Sequence, residues 1–108
     1  MKINIYDKKK VVKTYEADTY DLMFGTVEDV AEAINLDTLK TGSDVEIIKM
    51  VGKLVMTSFD TVKDLLKDMF DGITDEELKK TKVSEIATAL VEVVQFTLRQ
   101  LNLNKSKN

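Results

Sequence analysis

The residues best equipped for chemistry in this chain are carboxylates. Asp75, Glu76 and Glu77 are adjacent, and Asp18 and Asp21 lie close together. Paired acids of this kind can divide general-acid and general-base work. The first group also has a structural reading, because Thr74-Asp75-Glu76-Glu77 is a capping box and acids in a first turn suit the helix dipole. Asp64 and Asp68 interleave with Lys63 and Lys67, the pattern of a solvated helix face. There is no histidine and no cysteine. That removes the commonest general base, the commonest metal ligand, any thiolate nucleophile and any disulfide. Ser43, Ser58 and Ser84 therefore have no imidazole to activate them. The four glycines, at 25, 42, 52 and 72, make no phosphate loop, and the calcium-loop pattern is missing. The expectation is a protein that is not an enzyme and uses no cofactor or metal.

Lysines offer a second chemistry. Lys8, Lys9, Lys10 and Lys13 form one cluster, and Lys79, Lys80 and Lys82 another. The first could contact nucleic acid from a β-ribbon. Arg99 is the only arginine, however, and the net charge is −3, so a solubilising hairpin tip is the better reading. Charge is spread unevenly: residues 1–20 hold five lysines against three acids, and residues 21–41 hold one lysine against five acids. Such a split suits either a head-to-tail contact or a local balance within one domain.

The elements that must position these groups follow from length and pattern. A chain of 108 residues, 44% hydrophobic and 32% charged, suits one domain with one modest core. The β-branched and tyrosine-rich stretches at 3–6 and 11–16, joined across Asp7–Lys10, read as a β-hairpin. Gly25 is expected to break the chain and Thr26 to cap a helix buried through Val27, Val30, Ala31 and Ile34. A capping box at Ser43–Glu46 opens a middle segment whose line is Ile48, Val51, Val55, Phe59, Val62, Leu66 and Met69. It is one helix of up to 27 residues or, with Thr57, Ser58 and Asp60 as a restart, two. Asp71-Gly72 stops it, and a short helix follows from Thr74. The last helix spans about Val83 to Leu101 on a stripe of Val83, Ile86, Ala87, Leu90, Val94, Leu98 and Leu101, widened by Ala89, Val93 and Phe96. Met23 and Met69 are expected to fill core gaps, whereas Met50 and Met56 are open between core and binding surface. The fold class expected is α+β: an N-terminal β-hairpin followed by a small bundle of four or five α-helices. Residues 1–103 form a single domain and 104–108 a disordered tail. No apolar run reaches the ~20 residues of a membrane span, and the N-terminus lacks the apolar core of a signal peptide, so a cytoplasmic location is expected.

Two stretches carry a resemblance: Thr19-Tyr20-Asp21-Leu22-Met23-Phe24-Gly25-Thr26-Val27-Glu28-Asp29, and Phe70-Asp71-Gly72-Ile73-Thr74-Asp75-Glu76-Glu77-Leu78 before a final apolar helix. With the hairpin, they make the chain resemble the tail assembly chaperones of long-tailed phages, the siphophage type of Gram-positive hosts. The resemblance implies a protein that coats the apolar, helical tape measure protein and keeps it soluble. It also implies recruitment of the tail tube protein through a longer frameshift form, and absence from the mature virion. The location it implies is the host cell cytoplasm. The adenine-rich codons of Asn104–Asn108 suit a slippery tract for such a frameshift.

A long client needs many copies, so a homo-oligomer is expected, with Ile3, Ile5 and Val12 of the hairpin as self-association residues. Ile47, Met50, Leu54 and Met56 lie off the middle line and are the candidate client-binding residues, the alternative being that they pack against the hairpin or the last helix. The alternative reading is a small nucleic-acid-binding regulator using the basic hairpin. The preferred reading involves neither nucleic acid nor membrane.

Overall fold

Ile3 and Ile5 point inward from strand β1 (Lys2–Asp7), and this period of two makes β1 the buried strand of an antiparallel hairpin. The computed structural model describes residues 1–34 and 43–106, with side chains described through Arg99. Strand β2 (Lys10–Glu16) follows a turn at Lys8 and Lys9. Ile5 faces Lys13 and Tyr6 faces Val11, which leaves Val12 as a bulge residue on the exposed strand.

A 3-10 turn at Thr19–Asp21, capped by the Asp18 carboxylate accepting from Tyr20 N–H at 3.0 Å, leads into helix α1 (Phe24–Ala33). This corrects the expected start. Gly25 lies inside the helix, Met23 stands at the cap position without a side-chain bond, and Thr26 is buried. Val30 and Ile34 are buried as expected. The connector read at Asn35–Gly42 lies outside the described residues.

The middle segment is two helices, α2 (Asp44–Thr57) and α3 (Phe59–Met69), with the break at Ser58. The Ser43 hydroxyl accepts from Glu46 N–H at 3.3 Å and starts α2. At its end, Thr57 bonds back to the Lys53 carbonyl at 2.7 Å, and Ser58 leaves helical geometry at φ −138°, ψ 59°. Gly72 takes φ +87° after α3, the left-handed position that glycine fills without strain. Helix α4 (Asp75–Leu78) opens on the complete Thr74–Glu77 capping box. Helix α5 (Val83–Ser106) runs past Leu101. The expected tail at 104–108 is thus helical backbone as far as Ser106, with 107–108 outside the described residues.

The architecture is α+β: among the described residues, a two-stranded hairpin and the 3-10 turn are followed by five α-helices. Helix α5 is the central support: the hairpin, α1 and α2 all pack on it, and α3 closes against α1 and α2. The core joins Ile3 and Ile5 to Val30, Ile34, Val51, Leu65, Leu66, Phe70, Leu90, Val93 and Val94. Buried Thr97 meets its hydroxyl's need within α5, at the Val93 carbonyl, 2.9 Å away. Among the described residues no buried side-chain nitrogen or oxygen lacks a partner. None of the described helices is long and apolar enough to cross a membrane.

Two carboxylates tie the hairpin to the bundle. Glu85, in the first turn of α5, accepts from the Asn4 backbone N–H at 2.9 Å, from Asn4 Nδ2 at 3.0 Å and from the Tyr6 hydroxyl. Tyr6 N–H donates to the Lys80 carbonyl at 2.9 Å, so the α4–α5 junction takes up the outer edge of β1. Glu77 holds β2: the Tyr15 hydroxyl donates to it at 2.6 Å and the Lys13 ammonium sits 3.2 Å away. The Tyr15 hydrogen bond, then Lys13 and the Thr74 backbone N–H, hold the Glu77 carboxyl at about 2, below the ordinary value of 4.5. A depressed carboxylate stabilises the fold above its unfolded pKa and ceases to do so as pH falls through the folded one. Melting temperature should therefore drop between pH 4.5 and about 2, and Glu77→Gln should flatten that drop while lowering the neutral-pH value. A variant with the parent's full acid sensitivity would contradict this role.

Candidate functional site

The expected client-binding residues separate in the structure. Ile47 is 2% exposed and Leu54 is buried with it, both packed in the core. Met50 is half-buried and lines a small open cleft with Ala33, Ile34 and Leu54. Only Met56, 73% exposed, faces solvent. Ile48, placed by the sequence on the buried line, is 57% exposed, and Phe59 is exposed too. The hairpin gives a similar correction. Ile3 and Ile5 are core residues on a strand whose outer edge is occupied, so neither can mediate self-association; Val12, on the bulge, is exposed.

The correction is a rotation of α2 by about half a residue: Val51 and Val55 are buried as expected, and Ile47 and Leu54 take the place of Ile48. Ile47, Val51, Leu54 and Val55 form its buried face. Eight of its fourteen residues are apolar and encircle much of the helix, so two overlapping lines both satisfy a three-four spacing. Lys49 and Lys53 held the missing signal. Both are exposed, and the direction opposite them on a helix of 3.6 residues per turn runs through Ile47, Val51 and Leu54.

What remains outside is a second apolar stripe. Val45, Ile48, Gly52 and Met56 recur at spacings of three, four and four, with Lys49 and Lys53 beside them. Val45, Ile48 and Met56 are exposed, and nothing lies within 4 Å of where a Gly52 side chain would begin. The stripe therefore has a shallow notch at its middle, where another helix could approach closely. The other face of α2 is anchored in the core, and Gln95 of α5 donates to Asp44 at 3.0 Å near its start. The result is a rigid apolar surface on a helix, suited to non-directional burial of a partner's apolar side chains.

The acidic and basic groups group differently from their order in sequence. Asp75 pairs with Lys67 at 2.7 Å, and that hydrogen bond lowers its pKa; Glu77 holds the hairpin. Neither acid faces the other across a cleft in an acid–base arrangement, and both have structural partners. Among the described residues no group of three or more acids could hold a metal ion. The second lysine cluster approaches the basic end of the hairpin: the Lys80 backbone carbonyl accepts from Tyr6 N–H, and the Lys82 ammonium stands 4.7 Å from the centre of the Tyr6 ring, two residues before Lys8. At the opposite end of the hairpin, Tyr20, Met23 and Phe24 are exposed, which corrects the core assignment of Met23.

No family model matches the chain, and no curated protein and no solved structure matches it significantly.

Proposed function

We propose that the protein is a tail assembly chaperone of a long-tailed phage, binding apolar helical segments of a tape measure protein on the outer stripe of α2. The observation that carries the reading is that stripe: exposed Val45, Ile48 and Met56 on a helix whose other face is fixed in the core. Supporting it are the two stretches of resemblance and the structural partners found for Asp75 and Glu77. In this reading the protein has no catalytic role and keeps its client soluble in the host cytoplasm while tail tube subunits assemble. A longer frameshift form recruits the tube protein. Co-expression with a phage tape measure protein tests the proposal. The client should move from the insoluble to the soluble fraction and co-purify with the chaperone. A client equally insoluble with and without the protein would contradict it.

The second reading, a nucleic-acid-binding regulator, draws on Lys8–Lys10 at the hairpin tip and on Lys80 and Lys82 at Tyr6. Against it stand the net charge of −3 and the absence of arginine from that cluster. Strongly salt-dependent binding to duplex DNA would favour it.

A further inference from the structure

The hairpin ends in two unlike surfaces. Its tip carries Lys8, Lys9 and Lys10, all exposed, with exposed Val11 next to them, and exposed Lys80 and Lys82 contact Tyr6 two residues before the tip. Its open end leads into the 3-10 turn and the start of α1, where Tyr20 is 88% and Phe24 79% exposed with Met23 between them. Exposed Asp18 and Asp21 flank Tyr20 in the chain and give this apolar patch an acidic rim on one side. From Asp18 to Ile34 the chain holds five acids and no lysine or arginine, and all five (Asp18, Asp21, Glu28, Asp29, Glu32) are exposed. Beside the turn an open cleft is lined by Glu16, Asp18, Asp21 and Glu92, whose charge Lys2 and the amino terminus offset in part. Strand β1 is six residues long, so the two surfaces lie about 20 Å apart on one molecule and cannot meet within it.

We infer that the lysine-rich hairpin tip of one copy docks on the acid-rimmed Tyr20–Phe24 patch of another, so that copies of this chain associate head to tail. The charges are complementary at separate places on one chain, and complementary charge steers encounter and fixes orientation. Lysine ammoniums meeting the patch can pair with Asp18 and Asp21 and also lie over the Tyr20 ring. Val11 supplies apolar area toward Met23 and Phe24. Because the two surfaces differ, the contact is heterologous and repeats from copy to copy, giving open chains unless the rotation closes a ring. A nucleic acid would use the lysines alone and leave the aromatic patch bare, and the net charge of −3 opposes it at long range. The inference does not rest on the tape measure reading, since it uses neither α2 nor a client.

Sedimentation velocity on the full chain over a concentration series tests it, at low salt and again at about 0.5 M, where screening shortens the reach of exposed charges to a few ångströms. The average mass should rise with concentration at low salt and fall at high salt. Lys8→Glu with Lys9→Glu should give a monomer acidic at both ends, and Asp21→Lys with Glu28→Lys, which spare the Asp18 cap, a monomer basic at both ends. Mixing the two should restore association, because each then offers what the other lacks. All four positions are exposed, and circular dichroism checks that the fold is kept; the milder Lys9→Gln and Tyr20→Ala variants should weaken association in the same direction. A parent that stays monomeric at low salt overturns the inference, as do charge variants that assemble unchanged or a mixture of folded variants that stays monomeric. So does duplex DNA binding lost in the lysine variant while self-association persists, which would assign the lysine end to nucleic acid.

Discussion

Ile47→Glu is expected to destabilise the protein severely, whereas Ile48→Glu, one residue further along the same helix, leaves its stability nearly unchanged. Ile47 is 2% exposed and Ile48 57%. A glutamate at 47 would put an unpaired charge into the layer between α2 and its neighbours, a cost on the order of 4 kcal/mol or more. Domains of this size are stable by only about 5–15 kcal/mol, so the loss takes much of the stability and should lower the melting temperature by roughly 15–30 °C. At 48 the charge stands in water beside Lys49 and Lys53, and the change should stay within about 0.5 kcal/mol. Thermal melting followed by circular dichroism separates the outcomes. Two variants melting alike would mean that the phase of α2 assigned here is wrong.

Glu85→Ala should be the most damaging single change at a residue that is not fully buried, lowering stability by about 2 kcal/mol. The side chain accepts from the Asn4 backbone, the Asn4 amide and the Tyr6 hydroxyl, and so caps an edge of β1 and fastens the hairpin to α5. A two-stranded hairpin is marginal by itself, so its attachment carries much of its stability. Glu85→Gln retains one acceptor oxygen and should lose roughly half as much. Urea unfolding measures the change, and amide exchange at Asn4 should quicken before that of Val93. A loss under about 0.5 kcal/mol would show that water replaces the carboxylate without cost.

Elements set by local chemistry can be read from the sequence, and those set by distant contacts cannot. The hairpin, the Thr74 capping box, the Gly72 stop and the start of α5 were all legible, because each depends on a few neighbouring residues. The break at Ser58 was legible as one of two alternatives. The start of α1 was not. Thr26 has the chemistry of a cap, yet its side chain is needed in the core and the cap position falls three residues earlier, at Met23. The phase of α2 failed for a related reason: with apolar residues round much of the helix, the placement of α5 and α3 chooses the buried line, and those contacts are distant in sequence. Glu85 and the approach of the second lysine cluster to the hairpin belong to the same class. The contact from Asn4 to Glu85 spans 81 residues, and no periodicity reports it.

The central claim is that the outer stripe of α2 holds an apolar helical client. The most direct measurement is the affinity of a fluorescently labelled helical peptide from the tape measure protein for the parent and for the Ile48→Glu, Met56→Glu double variant, by anisotropy, with melting temperatures taken on the same samples. Burying each side chain fully stabilises by about 1.5–3 kcal/mol, so the folded double variant should bind at least about tenfold more weakly. A double variant that melts with the parent and binds the peptide equally well would contradict the assignment of this face.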